Sequence, residues 1–221
     1  MATLTHPVTV EEREPRTGGI MPPPAPPRDG KSEGPGPGFT PADRLRRYRI
    51  GLAVGLTPVL MLFVSFTSAY IVRQGLGDDW SAIALPPILW MNTIILLASS
   101  VTAEKARRMA GIAQESGGLW LGITLILGLG FLAGQWIAWK QLAAQGIFIA
   151  SNPSSSFFYL LTGSHGAHLV GGVLALGYAA LATRFHRPPE TRRIVVDIAT
   201  WYWHFMDLLW LYILGLVYLA Q

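Results

Sequence analysis

Two pairs of polar residues stand where the rest of this 221-residue chain is apolar. His165 and His168 are three positions apart, and so are His204 and Asp207. Residues three apart share one side of a helix, so each pair offers two groups to a single site. Gln135 is a further polar side chain in apolar surroundings. Three kinds of chemistry suit these residue types. Neutral imidazoles ligate metals and haem iron. Buried histidines and carboxylates relay protons in membrane pumps. Polar groups in lipid also fix helix register by bonding to a neighbouring helix. Ligation needs more ligands than the chain supplies, because cysteine is absent. That absence also excludes disulfides, thiolate nucleophiles, iron–sulfur clusters and cysteine-bound zinc. One deep carboxylate does not make a proton path across a bilayer. The residues therefore favour the structural reading, with the other two open. No Walker loop, GxGxxG turn or HExxH pair is present, and Ser164 beside His165 is adjacency rather than a catalytic arrangement.

The elements that must position these residues follow from composition. Apolar residues make up 51% and charged residues 14%, against about 25% charged in a soluble domain. A typical soluble enzyme is excluded for most of the length. Five apolar stretches are near the roughly 20 residues that cross a bilayer. They are placed at 49–72, 82–102, 118–142, 156–183 and 195–220, with Pro86 and Pro87 read as the entrance of the second. The fold class is all-α, an integral membrane bundle of five transmembrane helices over residues 42–221. It is preceded by a Pro/Gly-rich tail over residues 1–41, which holds ten of the sixteen prolines and six glycines. Such a tail cannot bury enough apolar surface to order itself, and it has no signal-peptide core.

Basic residues divide unequally between the connections. Arg44, Arg46, Arg47, Arg49, Lys105, Arg107, Arg108, Arg184, Arg187, Arg192 and Arg193 fall on one side, against Arg73 and Lys140 on the other. The positive-inside rule places the N-terminus inside and, with five spans, the C-terminus outside. The net charge of +4 is thus a matter of topology and anionic lipid rather than nucleic acid. Trp80, Trp120, Trp139, Tyr48 and Tyr218 lie near span ends, as interfacial aromatics do. Small residues repeat at four-residue spacing in Gly51/Gly55, Gly118/Gly122, Gly130/Gly134 and Gly163/Ala167/Gly171, which lets helices approach closely. At about 1.5 Å per residue, His168 lies roughly 24 Å from Arg184 and Asp207 roughly 21 Å from Arg193, so the two reach similar depth.

Two motifs carry a resemblance. Thr162-Gly163-Ser164-His165-Gly166-Ala167-His168 and Tyr202-Trp203-His204-Phe205-Met206-Asp207-Leu208-Leu209-Trp210 resemble, in this order, the last two helices of the cytochrome c oxidase subunit III family. Gln135 and the Arg49-Ile50-Gly51-Leu52 segment extend the likeness. The resemblance implies a five-helix accessory subunit with no active site or cofactor of its own. Haem and copper would sit in partner subunits. It further implies packing on catalytic subunit I and other oxidase subunits, with membership of a larger respiratory supercomplex open. Phospholipids would bind within the bundle, and the subunit would sustain proton uptake and turnover stability during oxygen reduction. The place would be the cell (inner) membrane of a prokaryote. Two buried carboxylates common in the family are replaced here by Val59 and Ala138, which weakens any proton path through this chain. The equivalent subunit of a quinol oxidase or nitric oxide reductase is an alternative, and a small transporter built on His165, His168 and Asp207 is another.

His165, His168, His204, Asp207, Gln135, Arg49, Trp203 and Trp210 are therefore expected as structural, lipid or subunit contacts. Asp207 in particular is expected to accept hydrogen bonds from His204, His168, Trp203 or Trp210 and so lock the last two helices. The charge count makes a direct prediction. Reporters fused after Arg108 and after Gln145 should lie in opposite compartments, and finding both in one compartment overturns the five-span topology.

Overall fold

The computed structural model describes residues 41–76, 80, 85–110, 114–185 and 188–219. The expected disordered tail, apart from Pro41, lies outside the described residues. Five helices follow in order: α1 (Pro41–Leu76), α2 (Ile88–Met109), α3 (Gln114–Ala144), α4 (Pro153–Arg184) and α5 (Pro189–Leu219). Each α helix satisfies its own backbone groups, as a hydrocarbon environment demands.

Helix ends are set by local chemistry. Asn152 caps α4 by accepting from the Ser155 N–H at 2.8 Å, and Ser155 Oγ accepts from the Asn152 N–H at 3.2 Å. This is a capping box with Pro153 in the first turn. Helix α3 ends at Gly146, whose φ is 77°. The Gly146 N–H bonds to Ala143 O and the Ile147 N–H to Leu142 O, both at 3.0 Å. These two bonds are a Schellman cap, which requires the left-handed glycine.

The second span is expected to open at 82, and residues 82–84 lie outside the described residues. Helix α2 begins at Ile88, and Pro86 and Pro87 contribute only carbonyls to its first turn, accepting from Leu89 and Trp90 at 3.1 Å. It then runs past the expected end at 102 as far as Met109, with Arg107 and Arg108 in the last turn to complement the helix dipole. Four of the helices, α1, α3, α4 and α5, are long and apolar enough to cross a membrane. Helix α2 falls outside that set. It carries Asn92, Thr93, Ser99, Ser100 and Thr102 along its length and four charged residues at its end.

Helices α2, α3, α4 and α5 form a closed ring, each lying against the next and α5 returning to α2. Helix α1 stands outside this ring, against α4 and α5. Only 11% of its most apolar window is buried, compared with 44% for α5. The ring is apolar outside and partly polar inside. Ile126, Leu174 and Leu208 are exposed, whereas Thr93, Ser99, Gln135, His165 and Asp207 are buried.

At the centre of the ring, Trp203 is fully buried. Its indole lies in space left by two glycines on different helices. A Cβ on Gly128 of α3 would come within 2.7 Å of the ring, and one on Gly172 of α4 within 3.1 Å. Gly128→Val should therefore force the indole out of place and destabilise the fold by about 1–3 kcal/mol. Gly130→Val, which faces open space, should leave it unchanged. Unfolding midpoints in bilayer-like particles test the pair, and equal effects would remove the glycine requirement.

Candidate functional site

The two recognisable motifs meet inside the ring. Trp203 Nε1 donates to Ser99 Oγ of α2 at 2.8 Å, and Trp210 Nε1 donates to Thr93 Oγ1 at 3.0 Å. The Trp210 ring meets Phe131 of α3 edge-on at 4.9 Å and His165 of α4 at 5.2 Å. His165 also meets Phe131 edge-on at 5.9 Å. One layer of the bundle thus draws a side chain from each of its four helices: Thr93, Phe131, His165 and Trp210. Interlocked aromatic edges of this kind add about 0.5–1.5 kcal/mol per pair beyond burial.

The two histidines of α4 do not converge. Three residues leave an offset of about 60° around a helix, and α4 has neighbours on three sides. His165 turns into the ring. His168 turns to α1, where its ring meets Phe63 at 5.8 Å. Its Nδ1 bonds to its own helix at Ser164 O, 2.8 Å away, and its carbonyl accepts from the Tyr202 hydroxyl at 2.9 Å. His204 pairs with Ser100 Oγ through Nδ1, and its Nε2 is 3.7 Å from Glu104.

Asp207 departs from expectation. It is 4% exposed, and neither carboxylate oxygen has a hydrogen-bond partner among the described residues. The four expected donors are engaged elsewhere: Trp203 with Ser99, Trp210 with Thr93, His204 with Ser100 and His168 with Ser164. The physical reason is the row of hydroxyls on α2, which faces α5 and takes the indole and imidazole groups first. Ser100 also lies near enough to Asp207 to interact with it. The join made by these side chains is between α5 and α2, whereas the sequence pointed to α5 and α4.

A second cluster closes one end of the molecule. Arg49 of α1 makes a bidentate pair with Asp197 of α5, Nε to Oδ2 at 2.8 Å and Nη2 to Oδ1 at 2.7 Å. Paired bonds of this geometry are the strong form of an Arg–carboxylate contact. Arg107 of α2 reaches the same Asp197 oxygen at 3.2 Å and forks onto Glu104 at 2.7 and 2.8 Å. Arg108 adds a bond to Glu104 at 2.8 Å. Arg192 bonds twice to the Ala110 carbonyl, at 3.2 and 2.9 Å, beyond the end of α2. Three helices are clamped here by one buried carboxylate. Of these residues the sequence marked Arg49 as a contact, and Arg107, Arg108 and Arg192 only as charges that set topology. Asp197 was the available signal: an acid just inside the apolar run, four positions from Arg193, on the side where basic residues gather. Among the described residues, no group of three or more histidine or acidic side chains is placed to hold a metal ion.

The clamp makes a graded prediction. Asp197→Leu leaves Arg49 without its acceptor and takes one bond from Arg107, which keeps Glu104, and should cost about 1.5–3 kcal/mol, the value of a charge-assisted bond. Arg44→Ala removes only an exposed pair with Glu190 at 3.5 Å and should cost less than about 1 kcal/mol. Unfolding midpoints measure both, and an Asp197→Leu protein as stable as the Arg44→Ala protein rules out a structural clamp.

Comparison with known proteins agrees with the motifs. The family model described as cytochrome c oxidase subunit III matches residues 44–220. The chain is 30% identical over 185 residues to a Mycobacterium tuberculosis protein named probable cytochrome c oxidase subunit 3, covering 78% of this chain and 87% of that one. It is 30% identical over 183 residues to cytochrome c oxidase subunit 3 of Corynebacterium diphtheriae, with the same shares covered. It is also 31% identical over 179 residues to the Synechocystis subunit 3, covering 76% of this chain and 74% of that one. The membrane-length helices, the ring built from both motifs and the match over residues 44–220 together place this chain in the cytochrome c oxidase subunit III family.

Proposed function

We propose that this chain is the accessory third subunit of a haem–copper cytochrome c oxidase, packed on catalytic subunit I and without an active site of its own. The observation that carries this reading is the direction of the motif side chains. His165, Trp203 and Trp210 are spent on contacts among α2, α3, α4 and α5. Residues so engaged hold a scaffold together, and the chemistry belongs to partners that carry haem and copper.

Several finer features belong to the same reading. The bundle crosses the cell membrane five times, with the N-terminus inside and the C-terminus outside. Helix α2 completes the count despite its polar row, because Asn92, Thr93 and Ser99 face the ring and its exposed side carries Trp90, Met91, Ile94, Leu97 and Val101. Phospholipid binding is supported by a cavity of about 500 Å³ between α1, α4 and α5, with Arg44 and Tyr48 at one end and Leu52, Ile198 and Tyr202 along its wall. Arg44 is paired there with Glu190, so the slot offers a zwitterionic headgroup one charge of each sign and its chain an apolar wall. Sustained proton uptake and turnover stability would follow from keeping the catalytic subunit's surroundings ordered.

Purification in a mild detergent through a tag on this chain tests the assignment. Haem absorbance and copper should co-elute with it in fixed ratio. A stable chain eluting alone, free of haem, overturns the proposal and returns the transporter reading.

A further inference from the structure

Five buried side chains among the described residues carry polar atoms without a hydrogen-bond partner: Thr200 and Asp207 on α5, and one each on α2, α3 and α4. Asn92 of α2, Gln135 of α3 and His165 of α4 are 1%, 3% and 0% exposed. Asn92 Nδ2, both amide atoms of Gln135 and both ring nitrogens of His165 have no hydrogen-bond partner among the described residues. Unpaired polar atoms are costly in a buried site and more so within hydrocarbon.

The three groups lie on neighbouring turns. Asn92 presses onto Gly134, where a Cβ would collide with its amide, and Gln135 is the next residue. On the α3–α4 interface, Phe131 meets His165, while Trp139 Nε1 donates to Thr162 at 3.2 Å. Gln135 stands one turn from each of those aromatic residues, so it is bracketed by His165 and Thr162. Thr93, adjacent to Asn92, holds the indole that lies against His165.

The donor and acceptor pattern identifies what would fit. Asn92 Nδ2 and Gln135 Nε2 only donate, Gln135 Oε1 only accepts, and a neutral imidazole does one of each. An anion is opposed by the acceptors and a cation by the donors. Full burial keeps out a lipid headgroup or a partner's side chain. What remains is a small neutral molecule that both donates and accepts. We propose that Asn92, Gln135 and His165 form a binding site for internal water within the ring, holding one or more molecules between α2, α3 and α4. Buried waters typically make about three such bonds, and three side chains on three helices supply them.

Solid-state magnetic resonance on the full chain in lipid bilayers tests this, with ¹⁵N-labelled histidine and glutamine and polarisation transferred from water. His165→Phe and Gln135→Leu assign the two signals by their disappearance. In the unaltered chain, the His165 ring nitrogens and the Gln135 amide should both receive polarisation from water. In Gln135→Leu, the water-derived signal at His165 should be lost or sharply reduced. A direct Gln135–His165 hydrogen-bond cross-peak with no transfer from water overturns the proposal. So does a His165 water signal that Gln135→Leu leaves unchanged. If either variant fails to assemble, an intact-chain density map with no peak within hydrogen-bond distance of at least two of the three side chains has the same force.

Discussion

Hydrocarbon offers no partner to a polar group, and the interior of this bundle is arranged around that constraint. Helix α2 turns its hydroxyls to α5, and α5 turns its indoles to α2, so that Thr93, Ser99, Trp203 and Trp210 satisfy one another. Each bond of this kind is modest, about 0.6 kcal/mol on average in a membrane. The alternative, an indole N–H facing lipid-like surroundings alone, is what gives the arrangement its selectivity. The apolar surface is left for the outside, where it costs nothing in lipid.

Helix α5 is the hub of that arrangement. It lies against α1, α2 and α4 and supplies both members of the indole pair, the buried carboxylate of the clamp and His204. Close approach is possible because the opposing helices withdraw at two places. Gly128 and Gly172 make room for Trp203, and van der Waals packing rather than hydrophobic burial then holds the helices together in lipid.

Much of this was legible in the sequence. Long apolar runs announce membrane helices, and the two motifs in α4 and α5 announce the family. The helices exceed the apolar spans because caps and salt bridges, not hydropathy, end them, as Asn152, Gly146 and Arg107 show. Partner choice was the part that stayed hidden. Spacing put His165 and His168 on one face, yet a 60° offset at a three-way junction sends one into the ring and the other to α1. Similar depth joined Asp207 to His168, but depth says nothing about which helix is adjacent. No spacing joins Asp197 to Arg49 and Arg107, since only the fold brings them to it.

The attachment of α1 also bears on how the chain is made. Arg49 and Asp197 are 148 residues apart, and Thr67, which accepts from the Tyr212 hydroxyl at 2.9 Å, is 145 residues from its partner. At bacterial rates of roughly 5–20 residues per second, α1 leaves the ribosome on the order of ten seconds before the helix that holds it. Through that interval it has to remain in the bilayer on its own hydrophobicity. Its most apolar window has a mean hydropathy of 2.1, and the values for α3, α4 and α5 fall to 1.8, 1.4 and 1.3, in the order of synthesis. Helix α2, with its polar row, is followed after a short connection by its neighbour α3. Later helices enter a membrane that already contains their binding surfaces, which is where a chain can place Asp197, Asp207, three histidines and Arg192 without losing its hold on the bilayer.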